Sequence, residues 1–462
     1  MTAPERTAAE VRRARRQRRV SDQLAHPARL IAFGFGFAVM TGTSLLMLPV
    51  ATESGERPSL IDALFTSTSS VCVTGLAVVD TGGHWSTFGE VVIMFLMQVG
   101  GLGIMTLATV IALVVSRRLG LRARLLIQAE TKTLRLQDVR RVLRSIVVFS
   151  LATEAVVTAI LTVRFATHYD KSWGRAGYEA MFHAVSAFNS GGLSLYSDSM
   201  TRFVADPIVS LTVSLAVLLG GLGYLVIFEL TRNWRRPAEW SVLTVITLWV
   251  SGVLLVGGTL VITAADWSND STFGPLNWPD KLHAGFFAAV MPRSGGLNSV
   301  NTGEMSEESL LTQIILMFIG GGSASTAGGI KVTTFGLLAF VIWAEMRGEA
   351  HVHVGRRRIP EANQRQALAI ALMSIGLVMA GTMVLLGMTE YPLDRVLFEV
   401  TSAFGTVGLS TGITAELGRA AHLMLVALMF IGRIGPLTLA SALALRERDR
   451  RYEYPEERTI VG

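Results

Sequence analysis

Four segments of the 462-residue chain align with one another without a gap. They read LFTSTSSVCVTGLAVVD, MFHAVSAFNSGGLSLYS, GFFAAVMPRSGGLNSVN and LFEVTSAFGTVGLSTGI. Each holds a glycine at the same place (Gly75, Gly192, Gly296, Gly408) and a leucine directly after it (Leu76, Leu193, Leu297, Leu409). A phenylalanine stands ten positions before each glycine: Phe65, Phe182, Phe286 and Phe398. The glycines are 117, 104 and 112 residues apart, so the period is close to a quarter of the chain. Such a repeat implies one structural unit copied four times, and four copies can close around a common axis.

The residues around these segments are apolar. Half of the chain is hydrophobic and 16% is charged, where a soluble domain carries about a quarter charged residues. Eight stretches are long enough to cross the hydrocarbon of a bilayer as helices, near 28–48, 89–115, 143–164, 204–230, 240–264, 309–345, 366–388 and 420–445. Basic residues gather before the first stretch (Arg6 to Arg19) and after the second, fourth, sixth and eighth, as at Arg117, Arg118, Arg235, Arg236, Arg357 and Arg358. The remaining connections are acidic, with Asp80, Asp198, Asp266 and Glu307. This is the positive-inside pattern of a cell-membrane protein with both termini in the cytoplasm. It makes the net charge of +6 a topological signal rather than a nucleic-acid footprint. The run from Ala28 to Leu48 is too long for a signal-peptide core and is expected to be retained. The one cysteine, Cys72, excludes an internal disulfide and a cysteine-based metal cage.

Each aligned segment falls in a connection on the acidic, outer side, and its apolar part of about ten residues is too short to cross. A short apolar helix followed by glycine-rich backbone reads as a re-entrant loop. A second glycine cluster follows each segment: QVGGLGIM (98–105), LLGGLGYL (218–225), FIGGGSAS (318–325) and FIGRIGPL (430–437). The predicted fold is an all-α membrane protein of four repeats, each a span, a re-entrant pore half-helix, a filter loop and a second span, around one pore. A basic cytoplasmic arm (1–26) precedes repeats at 27–118, 119–236, 237–358 and 359–445, and a cytoplasmic tail (446–462) follows. A dehydrated cation needs oxygen ligands, and main-chain carbonyls supply them without full charge. Glycine permits the positive φ that turns several carbonyls toward one axis. Half-helices aimed C-terminus first add a partial negative charge.

The runs SSVCVTGL, SAFGTVGLSTGIT, GGSASTAGGIKVTTF and GRIGPLTLA resemble the Ktr/Trk/HKT superfamily of potassium transporters, above all its Ktr-type membrane subunit. The resemblance runs from about His26 to the end and leaves out only the arginine-rich arm; eight spans suit the Ktr branch. It implies a potassium-selective pore, with ion-coordinating carbonyls at Val73, Thr74, Ser190, Gly191, Ser294, Gly295, Thr406 and Val407 and the four glycines closing the loops. It also implies a homodimer on a cytoplasmic ring of nucleotide-binding subunits. The basic loops at Arg117–Arg144 and Arg347–Arg358 serve either as its docking surface or for topology alone. Potassium is cargo, no cofactor is expected in the chain, and sodium is left open as an activator.

Charges and small residues inside the membrane are the remaining candidates. The run Gly320, Gly321, Gly322, Ser323, Ala324, Ser325, Thr326, Ala327, Gly328, Gly329 interrupts the sixth span and reads as an intramembrane gating loop, which the resemblance also implies. Lys331 either holds it shut or snorkels to the cytoplasm. Arg433 replaces the glycine found at Gly101, Gly221 and Gly321; it imposes a barrier to cations, or braces helix-end carbonyls or a carboxylate. Arg293 is expected to brace the third loop, Asn189 to bond loop backbone, Glu399 to cap or pair, and Cys72 to fill core space. No nucleotide loop, zinc motif or nucleophile elbow is present, so an enzyme is not expected. A sodium- or proton-coupled potassium symporter is the alternative, but such a protein usually carries a carboxylate cluster at the midplane.

Overall fold

The computed structural model describes residues 27–118, 136–355 and 357–435. The basic arm, most of the Arg117–Arg144 loop, residue 356 and the tail therefore lie outside the described residues. The described chain is helical apart from a two-stranded hairpin at His353–Val354 and Arg357–Arg358. The first repeat has α1 (Pro27–Leu46), α2 (Leu60–Val71) and α3 (Thr87–Arg118). The second has α4 (Leu136–His168), α5 (Trp173–Phe188), α6 (Pro207–Leu222) and α7 (Tyr224–Asn233). The third has α8 (Val242–Ala265), α9 (Trp278–Val290), α10 (Glu307–Phe318) and α11 (Val332–Met346), and the fourth α12 (Glu361–Leu386), α13 (Leu393–Gly405) and α14 (Arg419–Ile434).

Helix occupies at least part of each of the eight expected stretches. Among the described residues, α4, α8 and α12 are long and apolar enough to cross a membrane, and α6 with α7 makes a fourth if the pair is one span. That pair corrects the sequence reading, which had a continuous helix over 204–230. The chain turns by 96° between α6 and α7, at Gly223, whose φ of 87° leaves the helical region. The sixth stretch is interrupted as expected, between Phe318 and Val332.

Local chemistry sets several starts. Ser59, Ser241 and Ser306 cap α2, α8 and α10 by accepting a backbone N–H three residues on, and Asp206 caps α6 ahead of Pro207. The burial pattern is that of a chain in lipid: Phe37, Trp249 and Met383 are exposed while Ser67, Ser69, Ser70 and Thr74 are buried.

Contacts close the repeats into a ring. Each half-helix (α2, α5, α9, α13) packs on the helix before it, α1, α4, α8 and α12 respectively. The helix that follows it packs on the half-helix of the next repeat: α3 on α5, α6 on α9, α10 on α13, and α14 back on α2. Phe65, Phe182 and Phe398 are fully buried in this interlock. The third repeat departs from the alignment, because Phe286 is partly buried and Phe287 takes the core place. Pro292 has no N–H to continue the helix, and α9 is capped at Met291, five residues before its ring glycine, where Cys72 and Asn189 stand three before theirs.

Candidate functional site

The four half-helices end together. Cys72, Asn189, Met291 and Thr406 are their C-caps, and the loops that follow meet at the aligned glycines. A Cβ built on Gly75 would lie 2.7 Å from the Cα of Gly192, and one on Gly192 would lie 3.0 Å from the Cα atoms of both Gly296 and Gly75. On Gly296 it would stand 2.6 Å from the Cα of Gly192 and 3.4 Å from that of Gly408; on Gly408, 2.8 Å from the Cα of Gly75. The circuit Gly75–Gly192–Gly296–Gly408 is thus closed, and no side chain fits at any of its four corners. Their φ angles are 96°, 68°, 70° and 98°. Carbonyl oxygens edge the ring: those of Thr74 and Val407 lie 2.1 and 2.4 Å from the Cβ positions of Gly408 and Gly296, and that of Gly191 lies 2.9 Å from that of Gly75.

The residue two before each glycine is also left-handed: Val73 (54°), Ser190 (63°), Ser294 (69°) and Thr406 (47°). Each such non-glycine residue costs of order 1–3 kcal/mol and persists only where its surroundings impose it. Buried serines help impose it. Ser69 Oγ accepts from Gly75 N at 3.0 Å and donates to Leu76 O at 2.7 Å. Ser186 Oγ donates to Leu193 O at 2.7 Å, and Ser402 Oγ accepts from Gly408 N at 3.1 Å. All three stand six residues before their glycine; the third repeat has Val290 there. Its loop turns instead on Met291 O, which accepts from Gly295 N and Gly296 N at 2.7 and 3.2 Å.

The second glycine cluster has a packing role. A Cβ on Gly100, Gly220 or Gly432 would come within 1.8–2.1 Å of the carbonyl oxygen of Val71, Phe188 or Phe404, the residue four before each ring glycine. Only a glycine lets the following helix press on the half-helix end so closely. In the third repeat Gly320 meets Gly328 O instead.

On one side the ring opens into a cavity of about 320 Å³ that all four ring glycines line, with Asp80 its single carboxylate. The opposite side is covered by the 319–331 segment. Thr326 Oγ1 lies 2.9 Å from Ser190 Oγ and donates to Phe188 O at 3.3 Å. Gly328 N donates to Ser294 Oγ at 3.3 Å, and a Cβ on Gly328 would strike Thr406 Oγ1. One segment thus touches three of the four left-handed residues. Its ends are pinned by Gly320 N to Ile330 O (2.8 Å) and Val332 N to Gly321 O (3.0 Å), and its bend by Ser325 Oγ to Gly322 O (2.7 Å). Ser323 Oγ and Thr333 Oγ1 are 2.7 Å apart, and Ala324 and Gly329 take positive φ. The broken end of α6 receives it: Gly322 N and Thr326 N donate to Gly221 O and Gly220 O.

The charged candidates resolve as follows. Arg433 is buried, and its guanidinium donates to Thr326 O and, at 2.9 Å, to Gly100 O. It braces carbonyls, one of them in the covering segment. Lys331 Nζ donates to Ala327 O, back into that segment, rather than snorkelling. Arg293 braces the third loop from behind, as expected, but through a helix rather than through loop backbone: it reaches Ser251 on α8, at 2.8 Å to Oγ and 3.2 Å to O. Asn189 bonds Val185 O of its own helix and the side chains of Gln98 and Glu154, not loop backbone. Glu399 is buried and accepts from Ser410 Oγ, Thr411 N (2.9 Å) and Thr414 Oγ1 (2.6 Å), tying the fourth loop's outer arm to α13. Cys72 is free and buried. Among the described residues no group of three or more His, Cys, Asp or Glu could hold a metal ion.

The family model described as TrkH, cation transport protein, matches residues 14–453. The Ktr system potassium uptake protein B of Bacillus subtilis is 39% identical over 94% of this chain and 97% of its own length. Its namesake in Vibrio alginolyticus is 40% identical over 94% of both chains. The potassium/sodium uptake protein NtpJ of Enterococcus hirae is 32% identical over 96% of this chain and 99% of its own. Among solved structures, the potassium transporter TrkH of Vibrio parahaemolyticus superposes with a TM-score of 0.69 at 16% identity, over 90% of this chain and 85% of that one.

Proposed function

The chain belongs to the TrkH family of cation transport proteins, and from that premise we propose that it takes up potassium through a channel-like pore in the cell membrane, both termini lying in the cytoplasm. The observation that carries the reading is the closed circuit of Gly75, Gly192, Gly296 and Gly408, edged by carbonyl oxygens and without a carboxylate. Such a ring replaces water around a dehydrated cation by neutral dipoles. The half-helix C-termini add their partial negative charge. The filter consists of Val73, Thr74, Ser190, Gly191, Ser294, Gly295, Thr406 and Val407 with the ring glycines.

The 320–331 segment is the gate. It lies against Ser190, Ser294 and Thr406, so ions leaving the ring inward pass only when it moves, and Arg433 and Lys331 hold it in place. The relatives named as belonging to a Ktr system favour partner subunits; the assembly proposed is a homodimer on a cytoplasmic nucleotide-binding ring, reached through the basic loops.

Coupled symport is the second reading, favoured by the relative named for both potassium and sodium. Flux into liposomes decides between them. Passive selectivity gives rubidium uptake driven by a potassium gradient and little sodium entry. Potassium accumulation driven by a sodium gradient alone would replace the channel with a symporter, and no cation flux at all would reject both.

A further inference from the structure

A glutamate sits within the apolar length of α4, and the composition of that stretch hides it. Glu154 is buried, and its Oε1 accepts three hydrogen bonds: from Ser150 Oγ at 2.8 Å, Gln98 Nε2 at 3.1 Å and Asn189 Nδ2 at 3.0 Å. Among the described residues no Lys, Arg or His pairs with it. An unpaired carboxylate at membrane depth is expensive and is retained for a function. Here its donors join three pieces of chain. Ser150 lies on α4 itself. Gln98 lies on α3, two residues before Gly100. Asn189 is the residue between the end of α5 and the left-handed Ser190.

We propose that Glu154 is a positioning residue for the ring: its acceptor oxygen fixes the Asn189 carboxamide and, through it, the turn that presents Ser190 and Gly191. The inference rests on the filter reading above. Asn189 Nδ2 also donates to Gln98 Oε1 at 2.9 Å, so the carboxamide is held from two helices at once. The third repeat repeats the device with other residues. Arg293 occupies the position equivalent to Asn189, three before the ring glycine, and is tied to Ser251 on α8, which precedes its half-helix as α4 precedes α5. The equivalent residues of the first and fourth loops, Cys72 and Gly405, have no side chain able to make such a tie. Two adjacent loops of the ring are therefore anchored from behind. Removing the anchor lets Ser190 relax from its left-handed angle, and a carbonyl that relaxes no longer enforces the spacing that favours the larger ion.

Purified protein in liposomes provides the test, with the potassium-to-sodium flux ratio and the KM for potassium as readouts. Glu154→Ala is expected to lower the ratio about tenfold and to raise KM, the loss of one charge-assisted hydrogen bond. Glu154→Gln, which keeps an acceptor oxygen in place, is expected to recover the ratio to within about threefold of the unaltered protein. Asn189→Leu cuts the same tie from the other end, gives the same loss, and adds nothing to Glu154→Ala in the double variant. It also keeps the question answerable if Glu154→Ala fails to reach the membrane. An unchanged ratio and KM in a well-folded Glu154→Ala or Asn189→Leu protein overturns the proposal, as does Glu154→Gln being as damaged as Glu154→Ala. Unaltered protein without preference for potassium over sodium overturns the filter reading first and this one with it.

Discussion

Replacing Gly75 by serine perturbs the ring at a corner where only backbone surrounds the new side chain. Gly75 has a φ of 96°, and a Cβ there would lie 2.7 Å from the Cα of Gly192 and 2.9 Å from Gly191 O. Ordinary contact begins near 3.4 Å, so the two strands must part by about 0.7 Å in an interior that yields little. The left-handed angle costs about 1–2 kcal/mol for a residue with a Cβ, and overpacking against backbone costs about 1–3 kcal/mol. Both are relieved by opening the ring, so they act against the arrangement that prefers potassium. Even the lower ends sum to about 2 kcal/mol, a factor of about thirty in an equilibrium. Gly75→Ser is therefore expected to cut the potassium-to-sodium ratio about thirtyfold, by admitting sodium or by abolishing potassium uptake. Tracer rubidium uptake into liposomes, with sodium as competitor and cell rescue on low potassium beside it, reads either outcome. Gly34→Ser is the control: nothing lies within 4 Å of its Cβ position, and it should transport normally. A folded Gly75→Ser protein with unaltered selectivity would refute the filter assignment.

Two further expectations concern the inner side of the ring. Deleting Gly320–Gly329 should raise flux, and the ends to be rejoined already lie side by side, Ile319 bridging Ile330; a well-folded deletion with unchanged flux rejects the gate. Arg433→Ala removes both carbonyl bonds and should raise flux about tenfold or more, since one charge-assisted bond at the low end of about 1.5 kcal/mol already corresponds to about tenfold. Arg433→Lys keeps the charge but loses the fork, so flux near that of Ala supports bracing, and flux near that of the unaltered protein supports an electrostatic barrier.

The ring was legible because close approach of backbones leaves a mark in sequence: only glycine fits, so Gly75, Gly192, Gly296 and Gly408 stand in register, as do Gly100, Gly220 and Gly432. The left-handed turns two residues earlier left no mark, since Val73, Ser190, Ser294 and Thr406 have no residue type common to all four, none is glycine, and their conformation is imposed from outside. Ser69, Ser186 and Ser402 were aligned in plain view, but a buried hydroxyl reads like any small polar residue until its partners are known. Glu154 was overlooked because one carboxylate barely lowers the apolarity of a whole span, and its partners Gln98 and Asn189 lie 56 and 35 residues away in the chain. The break at Gly223 was hidden for the same reason: a glycine within an apolar stretch is compatible with a straight helix, and the loop that fills the bend comes from another repeat.

The third repeat departs from the other three in ways that have one consequence. Pro292 follows an early end of its half-helix, Val290 removes the serine that steadies the other loops, and Gly320 turns away from the half-helix to meet Gly328. In the other repeats a continuous helix presses on the half-helix end at that level; here α10 stops at Phe318 and the freed chain crosses beneath the ring. Four equal repeats would leave either four obstructions or none, because whatever one helix does on the axis all would do. Breaking the symmetry in one repeat gives a single obstruction that reaches three loops and is received by a matching break in the neighbouring α6. If the segment is the proposed gate, it can be released by few contacts, those of Arg433, Lys331 and the α6 carbonyls, while the glycine ring stays as it is. On the proposed reading selectivity and gating are therefore separable, and variants of Gly75 and of the 320–329 segment should change different quantities.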